Sequence, residues 1–327
     1  MGPETQHEKA GESLASGYSR RRLYSYLAPI VLLPIAILAA ALIVVPTDWF
    51  ADRSDNLFMD TLGYGASLHN ANCQIAVYGD STAVVGINPF LIREKTGLST
   101  CNIAEVAGVN VVDGTMPLDQ YLAQNSRPRY LVFLFAPEGL NPESQRHNPE
   151  ITTFEGVTYR FRQPHKLASF IALMRHPDDI FSWAEHGIRM SLGDLRTRPM
   201  PPETKYTRFR TLGQTTFTNP PMTTCNYPHH NPRPDLQWIH GLRTKYGIDG
   251  TTVLIDATLL PACDPDLAFF RQQLAGVIDN NYEETLPMAD YYAGGRHVFP
   301  AGADALSWMV ADQILAHMHS QASSDMK

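Results

Sequence analysis

The sequence predicts an α/β domain on a mostly parallel sheet, preceded by one apolar helix that anchors it in a membrane. Three observations predict this. Short apolar runs rich in strand formers alternate with capped or amphipathic helical stretches. Residues 27–45 read LAPIVLLPIAILAAALIVV, with no charged or strongly polar side chain. With the first 50 of the 327 residues set aside, enough chain remains for a large domain with a substantial core.

The apolar segment comes first. At 1.5 Å rise per residue it makes a helix of roughly 28 Å, close to the thickness of a bilayer core. All its backbone polar groups can then be paired within the helix. Arg20, Arg21 and Arg22 precede it, and Trp49, Phe50, Asp52 and Asp55 follow it. The positive-inside rule therefore predicts a polar cytoplasmic tail at 1–23, a single-pass anchor at 24–46, and everything beyond on the far side. Tyr24, Tyr26 and Trp49 fall at the two interfaces. The competing readings are a cleaved signal peptide and a buried core helix. A signal peptide has a shorter apolar run followed by a small-x-small site; here Ala39-Ala40-Ala41 lies inside the run. The expected location is the cytoplasmic (inner) membrane, with the C-terminal domain in the periplasm.

Beyond the anchor, residues 74–78 (QIAVY) read as the first strand and lead into Gly79-Asp80-Ser81. A helix follows, with Asn88 as N-cap, Pro89 at its first position and Gly97 as stop. Residues 101–104 predict a second strand ending in Glu105-Val106-Ala107-Gly108, and 114–125 a helix. Residues 130–135 (YLVFLF) read as a buried strand and 251–255 (TTVLI) as another, the latter preceded by a helix from Pro234 to Tyr246. A final helix is expected over 301–318. The α/β domain is thus expected over 55–136 and 234–320. Sites in such sheets lie at the carboxyl ends of the strands, where Gly79-Asp80-Ser81 and Gly108 both fall.

Residues 137–233 are rich in proline and arginine and read as an insertion, with helices near 164–175 and 178–191. The insertion is either a cap over the site or a surface excursion without a role. Within it, Tyr159, Arg160, Phe161, Arg162 and His165, with Tyr206, Arg208, Phe209 and Arg210, alternate aromatic and cationic groups. That pattern is compatible with a glycan groove, but a solvated, arginine-rich strand edge is the better reading of it.

The formal charge of −7, with no long run of one sign, argues against a nucleic-acid partner. Cys73, Cys101, Cys225 and Cys263 lie far apart, which excludes a zinc ribbon or CxxC redox motif. Four is an even number and fits two disulfides in an oxidising compartment. Cys73 and Cys101 start adjacent strands and can bridge at the end of the sheet opposite Ser81. Cys225 and Cys263 then pair by elimination; free buried thiols are the alternative. Cys225, His229, His230 and His240 match no metal-site spacing, so neither a metal nor a cofactor is expected.

Two groups carry chemistry. Ser81 sits on a tight turn after the first strand, where a nucleophile is exposed and backbone N–H groups can receive an oxyanion. A capping or turn serine is the plainer reading. His297, followed by Val298-Phe299-Pro300-Ala301-Gly302, lies on the loop before the last helix and can act as general base over the strand ends.

On these residues the chain resembles the SGNH (GDSL) hydrolase family. Gly79-Asp80-Ser81 is similar to its first block, Gly108 to the glycine of its second, and the His297–Gly302 run to its last. The resemblance covers 73–136 and 250–318. It implies a three-layer α/β/α flavodoxin-like fold, Ser81 as nucleophile, His297 as base, and the N–H groups of Ser81 and Gly108 as oxyanion hole. The single anchor resembles the subset that modifies teichoic acid, alginate or bacterial cellulose. It implies a membrane-bound, extracytoplasmic serine esterase or O-acyltransferase acting on an exported polysaccharide. A transferase would need a multi-span acyltransferase partner to bring the acyl group across the membrane.

The chain departs from the family pattern twice. The acid normally three residues before the histidine is Gly294 here. Asp290 is the leading replacement, ahead of Glu284, Asp304 and a dyad oriented by a backbone carbonyl. The third-block Gly-x-Asn-Asp is replaced by Ala136-Pro137-Glu138-Gly139-Leu140-Asn141, and Asn141 is the candidate side-chain oxyanion donor. These departures support an alternative: a non-catalytic accessory protein that binds glycan or scaffolds a polysaccharide synthase.

Overall fold

The structure, a computed structural model, describes residues 67–106, 115–142, 220–225, 232–293 and 295–325, with 22–33, short stretches within 35–65, and 213–214. The chain divides into two compact units, Met1–Val45 and Pro46–Lys327. In the first, residues 22–33 are helical, and Leu27, Ile30, Val31, Leu32 and Leu33 are exposed. Among the described residues no helix is long and apolar enough to cross a membrane. The expected anchor is only partly covered, because 34, 37–38, 41–42 and 45–46 lie outside the described residues.

The second unit is an α/β domain. Strands β1 (Ile75–Gly79), β2 (Thr100–Asn102), β3 (Tyr130–Phe135) and β4 (Thr252–Ala257) form one parallel sheet in the order β2-β1-β3-β4. Every residue of β1 and β3 is buried. This is why both read as unbroken apolar runs rather than alternating ones: helices cover both faces of a parallel sheet. The winding reverses between β1 and β3, which opens a crevice at their carboxyl ends.

The helices are α1 (Ser81–Gly86), α2 (Pro89–Thr96), α3 (Met116–Gln124), α4 (Leu236–Tyr246), α5 (Leu267–Leu274) and α6 (Pro300–Asp325). Helix α2 has the expected boundaries: the Phe90 N–H donates to Asn88 Oδ1, and Gly97 closes the helix at φ +71°. Asp235 caps α4 by accepting from the N–H groups of Gln237 and Trp238. Helix α6 buries Leu306, Val310, Ala311 and Ile314 and packs against α1 and α2. It runs past the expected 318 to Asp325. Helices α1 and α5 were not expected; α1 is a short helix buried except at Ser81, and α5 buries Leu267, Phe270 and Leu274 along one face.

Disulfides join Cys73 to Cys101 and Cys225 to Cys263, each with Cα atoms 5.9 Å apart. The first lies at the amino end of the sheet. The second ties the insertion to the loop after β4. The insertion leaves and returns at one place: the Asp235 N–H donates to Leu140 O (2.9 Å) and Asn141 Nδ2 to Arg233 O (2.6 Å). Residues 143–212, with the two expected helices and the aromatic–cationic stretches, lie outside the described residues.

Candidate active site

The site is built at the carboxyl ends of β1 and β3. A Cβ on Gly79 would overlap the Leu134 carbonyl oxygen, so only glycine lets the end of β1 approach β3 this closely. Asp80 then caps α1. Its Oδ1 accepts from the Thr82 N–H (2.8 Å) and Thr82 Oγ1 (2.6 Å), and its Oδ2 accepts from the Ala136 N–H (2.9 Å). Thr258 Oγ1 donates to Thr82 Oγ1 at 2.7 Å, which extends the network to the residue after β4. Burial pushes the Asp80 carboxyl up, while the bonds from Thr82 and Ala136 pull it down. Burial prevails, so the carboxyl lies above its ordinary range although each of these neighbours presents a donor.

Ser81 is the first residue of α1. Every other residue of that helix is buried, whereas Ser81 is only partly so. Its N–H, like those of any first helical turn, has no intrahelical acceptor and is placed to receive an anion. The chain after β2 runs alongside this turn: the Ile103 N–H donates to Val77 O (2.8 Å) and the Glu105 N–H to Gly79 O (3.1 Å). Gly108, the expected second oxyanion donor, lies outside the described residues.

His297 arrives on a hairpin-like loop before α6. Tyr291 bridges Val298, the Tyr292 N–H donates to His297 O (2.9 Å), and the Phe299 N–H donates to Asp290 O (2.7 Å). Tyr291 Oη donates to Leu259 O at 2.8 Å, which seats the loop on the segment after β4. The insertion holds the loop from its other edge. Pro221 bridges Tyr292, the Met222 N–H donates to Tyr291 O (2.8 Å), and the Ala293 N–H donates to Pro220 O (2.9 Å).

These elements put Ser81 Oγ 2.8 Å from His297 Nε2 across 216 residues of sequence. Burial, and then the charge of Arg296, lower the imidazole to about 4. The ring is therefore neutral at ordinary pH, and Nε2 can accept the serine proton.

Among the described residues no hydrogen bond links the Asp290 carboxylate to His297; the Asp290 main-chain carbonyl accepts from the Phe299 N–H. The loop register sets Tyr292, not Asp290, opposite His297. Glu284 accepts from Asn281 and Asp304 from Asn88. Asn141 donates to Arg233 O, where the insertion returns to the domain.

Sequence reasoning passed over a buried ion cluster beside the histidine. Arg296 Nε lies 2.8 and 3.1 Å from the two Glu138 oxygens, and Nη1 lies 2.7 Å from Asp264 Oδ2. Its one legible signal was a charged residue immediately before the base. Among the described residues no group of three or more metal-ligating side chains occurs. Compared with known proteins, the chain matches no family model, no curated protein and no solved structure.

Proposed function

We propose that this chain is a membrane-anchored, extracytoplasmic serine esterase or O-acyltransferase of SGNH type that acts on an exported polysaccharide. The observation that carries the reading is the 2.8 Å approach of Ser81 Oγ to His297 Nε2. Its placement at the strand ends beside the winding reversal is where α/β sheets carry their sites. The order β2-β1-β3-β4 agrees with the first four strands of a flavodoxin-like sheet.

In this reading Ser81 Oγ attacks the ester carbonyl and its proton passes to Nε2. The oxyanion is held by the Ser81 N–H and, in the family pattern, by Gly108. The leaving alcohol then takes the proton from Nε2 as the ester C–O bond breaks, leaving an acyl-serine. Water or a sugar hydroxyl, deprotonated by the same histidine, releases the acyl group as acid or as a new ester. The two disulfides suit an oxidising compartment. The apolar run at 27–45 and the exposed apolar side chains within 22–33 suit an anchor in lipid.

A non-catalytic accessory role has one observation in its favour: among the described residues no hydrogen bond joins the Asp290 carboxylate to His297, and Asn141 Nδ2 donates to Arg233 O. One experiment separates the two. Full-length protein in detergent is treated with a fluorophosphonate and the adduct is located by mass spectrometry. An enzyme labels at Ser81, and His297→Ala slows labelling by roughly 10²–10⁴. Labelling that is absent, or equal in wild type and Ser81→Ala, overturns the enzyme reading.

A further inference from the structure

We propose that Arg296, held between Glu138 and Asp264, is the positioning residue of the Ser81–His297 pair and fixes both the place and the basicity of the imidazole. The proposal deepens the serine-enzyme reading and rests on it.

The geometry is that of a clamp. Glu138 lies on the 3-10 turn Pro137–Leu140 directly after β3, and Asp264 on the loop after β4. The guanidinium bridges them, with Nε on both Glu138 oxygens and Nη1 on Asp264 Oδ2. Arg296 is 8% exposed, and the Asp264 side chain is fully buried. Ion pairs this sheltered hold their geometry in a way that surface pairs do not.

The clamped residue is the immediate neighbour of His297. Pinning the Arg296 side chain to the turn after β3 and the loop after β4 therefore pins the His297 backbone over the crevice. The hairpin pairs at Tyr292 and Phe299 hold the other side of the loop.

The clamp also sets the charge that the imidazole feels. Burial contributes most to the lowered His297 pKa, and the nearby guanidinium adds to it. In a triad with an acid, a carboxylate facing the ring would raise its basicity. Here the carboxylates of Glu138 and Asp264 pair with the arginine, and the arginine's charge acts on the histidine. The result is a weaker base that stays neutral well into acid.

Two measurements on the full-length protein in detergent test this: NMR titration of isotopically labelled histidine, with His297→Ala assigning the resonance, and the rate of fluorophosphonate labelling at Ser81. Arg296→Gln removes the charge, so the His297 midpoint rises from about 4 toward 6.5. Arg296→Lys keeps the charge but loses the fork, so the midpoint stays and labelling slows by about 10²-fold. Glu138→Gln leaves the guanidinium less neutralised, so the midpoint moves further down; this variant decides the sign if Arg296→Gln fails to fold. A midpoint unmoved in Arg296→Gln and Glu138→Gln, with labelling of Arg296→Lys within about twofold of wild type, overturns the clamp. Midpoints that move as stated without labelling at Ser81 in any form leave the clamp standing and overturn the serine-enzyme reading.

Discussion

The carboxylate of Asp80 accepts a hydrogen bond from the Ala136 N–H at 2.9 Å, so the turn that carries Ser81 is fastened to the end of the neighbouring strand. The same carboxylate caps α1 through Thr82. Asp80→Ala strips the acceptor from two buried backbone N–H groups at about 1–3 kcal/mol each. We expect a stability loss of roughly 2–5 kcal/mol, read from urea unfolding, and slower fluorophosphonate labelling of the molecules that remain folded. A variant as stable as wild type would mean that the cap network contributes little.

Asp256 in β4 is fully buried. Its Oδ1 accepts from Gln313 Nε2 at 3.0 Å, while among the described residues Asp256 Oδ2 and Gln313 Oε1 have no partner. A proton on Oδ2 would pair these two atoms. Burial, helped by Asp279 and opposed by the Gln313 bond, pushes the carboxyl up to about 7. A raised folded pKa means that the stabilisation is present at low pH and is lost as pH rises through about 7. Asp256→Asn presents the same acceptor and a permanent donor. Its melting temperature should exceed that of wild type by a margin that grows between about pH 4 and 7 and levels off above, at roughly 2–4 °C per kcal/mol. A margin independent of pH refutes the protonated pair.

The two disulfides should differ in consequence. Each closes a loop of similar length, 28 and 38 residues apart, and each should contribute about 2–4 kcal/mol. Cys225–Cys263 also secures the segment that bridges Tyr292, and Cys263 adjoins Asp264 of the arginine clamp. Cys73–Cys101 sits at the opposite end of the sheet from Ser81. Cys225→Ala/Cys263→Ala should therefore slow Ser81 labelling of folded protein, whereas Cys73→Ala/Cys101→Ala should lower the melting temperature and leave labelling within about twofold. Equal effects of the two pairs on labelling would separate the insertion from the site.

The strands were legible because burial on both faces writes a parallel strand as an apolar run: YLVFLF at 130–135 matches β3 to the residue. Helix α2 was legible because Asn88, Pro89 and Gly97 mark both of its ends. The short α1 was not, since STAVVG is rich in β-branched residues and forms a helix because Asp80 caps it and the core buries it. Ser81 and His297 could be singled out because each sits beside a turn at a strand or helix boundary. The Arg296–Glu138–Asp264 cluster could not, because its members are far apart in sequence and only the fold brings them together. The register of the His297 loop could not be read from the sequence: the chain closes with Asp290 opposite Phe299 and Tyr292 opposite His297, pairs that only the folded loop sets.

That register makes Asp290 a decisive residue. In a serine–histidine–acid triad the carboxylate orients the imidazole and stabilises the imidazolium, and its amide replacement costs about 10⁴ in rate. Among the described residues Asp290 is bonded through its main-chain carbonyl, to the Phe299 N–H at 2.7 Å, and that bond survives any side-chain change. Asp290→Asn should therefore label at Ser81 within about twofold of wild type, with an unchanged pH midpoint. Arg296→Lys, by contrast, should be slowed as stated above. If Asp290→Asn instead loses labelling by orders of magnitude while its unfolding curve is unchanged, the carboxylate reaches His297 during the reaction, and the loop must rearrange from the hairpin register to allow it.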